Sequence, residues 1–167
     1  MDIAFIGLGS NLADPRRQLQ SALRELDALS GTRLLRHSRL YRSAPWGERE
    51  QPDFVNAVAM IETALTPREL LDALLGIERA AGRVRDGRRW GPRVLDLDIL
   101  LYGDRILSES GLRVPHPHLA ERAFVLLPLA EIVPDLHVPD AGQVATLLGR
   151  VDVSGCEVLE PDPVLVE

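Results

Sequence analysis

Two segments of this chain carry helix punctuation at both ends, and they fix where everything else must lie. Thr66-Pro67-Arg68-Glu69 joins a capping box to a proline at the first helical position, and Gly82 stands where that helix must stop. Asp14-Pro15 opens an earlier segment, with Asp14 as the expected N-cap, and Gly31 closes it. In the earlier segment Leu19, Ala22, Leu23, Leu26 and Leu29 share one helical face; in the later one Leu70, Leu71, Leu74, Ile77 and Ala81 do. Strand-like runs flank both. Residues 3–8 read as a short buried strand, and 34–43 as a strand of poor alternation. Residues 54–62 alternate cleanly, with Val55, Ala57, Ala59 and Ile61 on one side and Phe54, Asn56, Val58 and Met60 on the other. Pro45, Gly47 and Pro52 make 44–52 a loop. Residues 94–102 form the next strand, with Leu95, Leu97, Ile99 and Leu101 on its apolar face.

The order strand, helix, strand, strand, helix, strand is that of a ferredoxin-like α+β sandwich with an antiparallel sheet. Helical and strand additions follow at the C-terminus. Gly103-Asp104 turns into a short strand around Ile106 and Leu107, a helix runs over 123–132 and is ended by Pro134, and a short helix near 144–148 precedes a weak strand. We read 1–160 as one domain and 161–167 as a short Pro-rich tail. A chain of 167 residues, 46% of them hydrophobic, can bury one core without a disulfide or structural metal. No apolar run reaches the roughly 20 residues of a membrane span. Residues 1–6 lack the basic start of a secretory signal, and the single Cys156 has no partner for an internal disulfide. A cytoplasmic protein is expected.

Net charge is −6, which argues against a general nucleic-acid or membrane-surface binder. There is no lysine, so all 19 basic residues are arginine. That excludes a Walker-A lysine, the strand lysine of protein kinases and any Schiff-base lysine. Phosphate must then be handled by arginine forks, backbone amides or metal. Codon bias would produce the same composition, and the exclusions hold either way.

The most informative stretch is Arg89-Trp90-Gly91-Pro92-Arg93-Val94-Leu95-Asp96-Leu97-Asp98. Strand residues two apart share a face, so Asp96 and Asp98 stand about 6.7 Å apart along one side. Carboxylates amid apolar neighbours are costly unless something positive meets them. Oxygen ligands in pairs suit Mg²⁺; a solvent-facing strand, or aspartates paired to arginines, fits the spacing as well. Just before it, Arg79, Arg83, Arg85, Arg88, Arg89 and Arg93 crowd into fifteen positions, and the part after Gly82 has no apolar period. An arginine-rich loop beside two carboxylates serves polyphosphate transfer; a solvated basic loop is the plainer alternative. Gly7-Leu8-Gly9-Ser10-Asn11 lacks the third glycine of a dinucleotide fingerprint, so its glycines point to a tight turn or close backbone approach. His116 and His118 make a weak metal pair, and single hydrogen-bonding roles fit them better. Phe54 and Phe124, two of only three phenylalanines, are either core or two flat rings that sandwich a planar heterocycle. In the second case Asn56 would read the heterocycle's edge.

Several motifs follow one another in an order that is itself distinctive. They are Gly9-Ser10-Asn11-Leu12, Ser43-Ala44-Pro45-Trp46-Gly47, Gln51-Pro52-Asp53-Phe54-Val55-Asn56, Glu78 with Gly82-Arg83-Val84-Arg85, the 89–98 stretch, Val114-Pro115-His116 and Arg122-Ala123-Phe124. Together they resemble the hydroxymethyl-dihydropterin pyrophosphokinase family of the folate pathway, along nearly the whole chain. The resemblance implies an enzyme that transfers pyrophosphate from Mg-ATP to 6-hydroxymethyl-7,8-dihydropterin, releasing AMP. Asp96 and Asp98 would hold two Mg²⁺ ions that bridge the phosphates of ATP, the co-substrate. The pterin would lie between Phe54 and Phe124, with Asn56 and the backbone near Ser43 and Pro45 at its edge. Arg83 and Arg93 would act on the transferring phosphates. Glu78, Arg85, Arg89, Trp90, Ile99, His116 and Arg122 would line the nucleotide side, Trp90 also helping to close the site. The implied partners are the two small-molecule substrates, without nucleic acid, membrane or an obligate protein. Departures from the family pattern fall around Leu75, Gly111 and Pro117.

Two rival classes differ in testable ways. An RNA-binding ferredoxin-like module needs stacking aromatics and a basic surface, whereas aromatics are 4% of this acidic chain. A palm-type nucleotidyl transferase also uses paired strand aspartates with two metals, but releases pyrophosphate.

Overall fold

Both punctuated helices form, in a computed structural model that describes residues 1–45, 50–82 and 94–159. Strand β1 (Asp2–Ser10) leads into α1 (Pro15–Ala28), then β2 (Thr32–His37), β3 (Tyr41–Ser43) and β4 (Phe54–Thr63). Helix α2 (Pro67–Ala80) and β5 (Asp96–Tyr102) complete the ferredoxin-like unit. The additions are β6 (Leu107–Glu109), β7 (Leu112–Val114), α3 (Ala123–Ile132), β8 (His137–Val138), β9 (Gly142–Gln143), α4 (Val144–Leu148) and β10 (Cys156–Val158). The main sheet runs β10-β3-β4-β1-β5, with β2 also pairing β4, and every pairing in it is antiparallel.

The sheet is covered on both faces. Ala4, Ile6 and Leu8 of β1, Val55, Ala57, Ala59 and Ile61 of β4, and Leu95, Leu97 and Ile99 meet the buried stripes of α1 and α2. Phe5, Val58, Leu100 and Leu101 meet Val125, Leu126, Leu129 and Ile132 of α3 and Val144 and Leu147 of α4. The C-terminal additions therefore build a third layer over part of the second face.

The α2 start is as expected: Thr66 accepts from the Glu69 amide at 3.2 Å, and Glu69 accepts from the Thr66 amide at 2.9 Å. The α1 start differs. Asp14 has φ 61°, its side chain caps nothing, and its carboxylate meets Arg17 Nε at 3.4 Å. Ala13 and Asp14 are both left-handed, so the chain enters the helix from a turn that carries the Asp14 side chain away from the first-turn amides. The strand expected over 34–43 is two strands, because Ser38 breaks it. Its Oγ takes the Val58 amide at 3.0 Å while its own amide donates to the Val58 carbonyl at 2.9 Å. The side chain thus replaces a ladder partner.

A second correction concerns β5. Leu101 does not share a face with Leu95, Leu97 and Ile99; it packs under α3, and Tyr102 takes the α1/α2 side. The register shows why: Ile6 pairs Ile99 but Phe5 pairs Leu101, so Leu100 is the extra residue of a bulge and the alternation flips beyond it.

Candidate active site

On the α3 face of the sheet, β1 presents two glycines side by side with the polar residues of its neighbours. Gly9 is in register with Asn56 of β4 on one side and Asp96 of β5 on the other. Gly7 is in register with Val58 and Asp98. Strands stand about 4.8 Å apart, so Asn56 and Asp96 face each other across roughly 10 Å of floor that carries no side chain. A Cβ on Gly9 would sit 3.2 Å from Asn56 Oδ1, and one on Gly7 would sit 3.2 Å from Leu100 Cδ2. These glycines provide close approach to backbone, one of the uses their spacing suggested.

The Asn56 amide is held in one orientation. Its Nδ2 donates to Ser43 Oγ at 2.7 Å, both residues being buried, which directs Oδ1 towards the Gly9 floor. Ser43 is in register with Phe54, so β3 and β4 bring Ser43, Phe54 and Asn56 together, with half-buried Pro45 just beyond. Asn11 steadies the approach to Phe54: its Nδ2 donates to Gln51 Oε1 at 2.8 Å and to the Pro52 carbonyl at 2.9 Å. In the sequence Asn11 stands within a motif, and nothing in its spacing tells that it reaches forty residues along.

Asp96 and Asp98 do share the site face, as the alternation required, while Leu97 and Ile99 enter the core beneath. The Asp98 side chain is 40% exposed, and its Oδ2 lies 4.0 Å from His116 Nε2. Strand β5 is an edge, and Glu78, buried on α2, accepts from the Leu97 amide at 2.7 Å between the two aspartates. Glu78 thus supports the strand from the core side. The side chain of Ile99 is likewise in that core, so only its backbone, which alternates to the same edge as that of Leu97, is offered to a ligand.

His116 is placed by backbone. Its amide donates to the Leu100 carbonyl at the bulge, at 2.9 Å, and its Nδ1 accepts from the His118 amide at 3.1 Å. That leaves the proton of the neutral ring on Nε2, facing Asp98. Burial, then the charges of Arg122 and His118, push the His116 pKa down to about 4, with Asp96 opposing. The ring is neutral at physiological pH and donates without carrying charge. His118 turns to Glu121 at 2.6 Å, so the two histidines do not converge on one point. Arg122 is buried at the start of α3 with its guanidinium 5.4 Å from the Phe124 ring centroid.

Phe5 is core, whereas Phe54 and Phe124 are each half-buried at this face. The structure therefore gathers Ser43, Pro45, Phe54, Asn56, Asp96, Asp98, His116, Arg122 and Phe124 on one side of the sheet. Arg83, Arg85, Arg89, Trp90 and Arg93 lie outside the described residues.

Residues 5–134 match the family of 7,8-dihydro-6-hydroxymethylpterin-pyrophosphokinase (HPPK). The chain belongs to this family. A 2-amino-4-hydroxy-6-hydroxymethyldihydropteridine pyrophosphokinase of Pseudomonas aeruginosa is 52% identical over 155 residues, 93% of this chain and 95% of that one. The enzyme of the same name from Methylorubrum extorquens is 48% identical over 160 residues, covering 96% of this chain and all of that one (100%). Among solved structures, wild-type Plasmodium falciparum HPPK-DHPS superposes with a TM-score of 0.71 at 14% identity. That match covers 89% of this chain and 44% of the other, and it supports the fold alone.

Of the three readings, the family is that of the pyrophosphokinase. No helix among the described residues is long and apolar enough to cross a membrane. Gly111 has φ +71° in the turn joining β6 to β7, a conformation that favours glycine.

Proposed function

We propose that this face of the sheet is where the chain transfers a pyrophosphoryl group from Mg-ATP to the hydroxymethyl group of 6-hydroxymethyl-7,8-dihydropterin. The activity itself is that of the family, a step of folate biosynthesis. The observation that carries the site is the register Asn56–Gly9–Asp96: an oriented amide and a carboxylate separated by one bare glycine.

The pterin edge is read by Asn56 Oδ1, whose amide Ser43 holds fixed, and the ring is flanked by the half-buried Phe54 and Phe124. The hydroxymethyl group then points along the Gly9 floor towards Asp96 and Asp98. The donor set there fits magnesium, since hard oxygen ligands on one strand face leave room for water and phosphate oxygens. Among the described residues there is no cluster of three or more His, Cys, Asp or Glu side chains that would enclose a metal by protein alone. Two Mg²⁺ ions held by Asp96 and Asp98 would supply charge neutralisation at the β- and γ-phosphates. The pterin hydroxymethyl oxygen bonds to the β-phosphorus and loses its proton. The bond from that phosphorus to the α–β bridging oxygen breaks, and AMP leaves with it.

On the nucleotide side, neutral His116 donates from Nε2, Arg122 brings a buried positive charge, and Glu78 keeps Leu97 between the metal-binding aspartates. The Ile99 backbone offers an edge for the base. By the family resemblance Arg83 and Arg93 would serve charge developing on the transferred group, Arg85 and Arg89 would contact the nucleotide, and Trp90 would help close the site. The test is product analysis with ATP, Mg²⁺ and the pterin alcohol. AMP equimolar with a diphosphorylated pterin is expected; ADP or free pyrophosphate as the stoichiometric product would overturn it.

A further inference from the structure

One polar cluster, in which buried Tyr41 meets the exposed Arg39 and Glu131, has no part in the site as described. The Tyr41 hydroxyl donates to Glu131 Oε1 at 2.5 Å, the Arg39 amide donates to Glu131 Oε2 at 3.0 Å, and Arg39 Nε donates to Oε1 at 3.3 Å. Tyr41 is buried, and burial followed by the Glu131 hydrogen bond pushes its pKa up to about 12. The hydroxyl is therefore a donor throughout the working pH range.

The positions of these residues matter more than their strength. Tyr41 is in register with Asn56, and Ser43, two residues on, accepts from the Asn56 amide. Tyr41, Ser43 and Asn56 thus share the site face of the sheet. Glu131 lies seven residues after Phe124 on α3, nearly two full turns, so the two fall on almost the same helical stripe. The joint between β3 and α3 therefore runs from the strand that orients Asn56 to the helix that carries Phe124. A further tie, Arg36 Nη1 to the Ile132 carbonyl at 2.9 Å, anchors the same helix end to β2.

We propose that Tyr41 and Glu131 are positioning residues that fix where Phe124 stands relative to Asn56, and so set pterin affinity without touching the pterin. This rests on the pterin pocket described above. Without the joint, α3 keeps its apolar packing on Val58 and Phe5 and the Arg36 tie at Ile132, but loses the polar contact that links it to β3, the strand that orients Asn56. The nucleotide side is built mainly on β5 and its bulge and shares only Arg122, at the start of α3, with the helix that the joint positions, so it depends on that contact much less than the pterin side does.

The test uses the whole chain and three variants. Tyr41→Phe removes only the donor; Glu131→Met removes the acceptor at similar side-chain length; the third combines them. Equilibrium affinity for the pterin alcohol, affinity for a non-hydrolysable ATP analogue, and melting temperature are measured on each. Loss of one such bond predicts pterin binding weaker by about three- to tenfold in Tyr41→Phe, with ATP-analogue affinity within about twofold. The double variant should be scarcely worse than the worse single variant, since both break one contact. Arg39→Ala, which leaves the Tyr41–Glu131 bond in place, should keep pterin affinity within about twofold of wild type. A lower melting temperature with unchanged pterin affinity, or equal losses for both ligands, overturns the proposal. Phe54→Ala and Phe124→Ala separate the two failures. If they weaken pterin binding and Tyr41→Phe does not, the joint alone is wrong; if neither weakens it, the pocket is wrong and the proposal falls with it.

Discussion

Replacing Gly9 by alanine should damage pterin binding while leaving the protein as stable as before. The new Cβ would lie 3.2 Å from Asn56 Oδ1 and 4.0 Å from Phe54 Cδ1, so the amide must yield by a few tenths of an ångström. Asn56 cannot turn away freely, because its Nδ2 is held by Ser43 Oγ at 2.7 Å. Weakening that bond costs about 1 kcal/mol, and alanine in a strand recovers roughly 0.5–1 kcal/mol through reduced backbone entropy. The two nearly cancel in stability, and Gly9 is not at positive φ, so no backbone strain is added. For the ligand nothing cancels. A displaced Asn56 alone predicts about a fivefold loss, and a methyl group that also lifts the ring adds an overpacking cost of about 1–3 kcal/mol. Pterin affinity should fall between about fivefold and roughly a thousandfold. Calorimetric titration with the pterin and with an ATP analogue, beside a thermal melt, reads all three quantities. Unchanged pterin affinity, or an equal loss for the ATP analogue, would refute the placement of the pterin over Gly9.

Asp96→Asn and Asp98→Asn should each nearly abolish turnover at ordinary Mg²⁺ with little change in circular dichroism or melting temperature, because both side chains lie at the open face rather than in the core; steady-state assay across a magnesium series checks this. Phe54→Ala and Phe124→Ala should weaken pterin binding by about 1–3 kcal/mol, and, being half-buried, cost less than the ~3–5 kcal/mol of a core phenylalanine; melting and titration on the same samples compare the two. His116 is held neutral down to about pH 4, whereas an unfolded histidine protonates near 6.5. Between those values the unfolded state binds more protons, so stability rises with pH through the window and is lost as pH falls through it, by on the order of 3 kcal/mol. Urea titrations from pH 4 to 7 should show this slope reduced in His116→Asn.

What could be read from sequence was whatever neighbours in the chain decide. Thr66-Pro67 and Glu69 made their helix start locally, and the alternation in 54–62 split β4 between two cores correctly. The shared face of Asp96 and Asp98 likewise needed only a period of two. Two of the misses depended on partners distant in the chain. Ser38 reads as an ordinary strand residue until Val58 arrives to bond its hydroxyl. The Leu100 bulge leaves no mark in Ile99-Leu100-Leu101-Tyr102, where every residue is apolar on either face, yet it reverses Leu101 and supplies the carbonyl that holds His116. Asp14 looked like a cap because residue type favours one, but a left-handed Ala13-Asp14 pair set the direction instead. In the site, Asn56 and Asp96 were both suspected; that a single glycine separates them is a fact of register, which only the pairing of β1 with β4 and β5 reveals.

That register can be measured without turnover. Mn²⁺ replaces Mg²⁺ in a complex of the protein with a non-hydrolysable ATP analogue and the pterin alcohol, and paramagnetic relaxation of the pterin protons reports their distance from the metal. Two strand spacings place the ion and the pterin edge within roughly 10 Å, so strong relaxation is predicted, falling sharply in Asp96→Asn and Asp98→Asn with the pterin still bound. Weak relaxation in the wild type, or strong relaxation indifferent to both substitutions, would contradict a metal on Asp96 and Asp98 beside a pterin on Asn56.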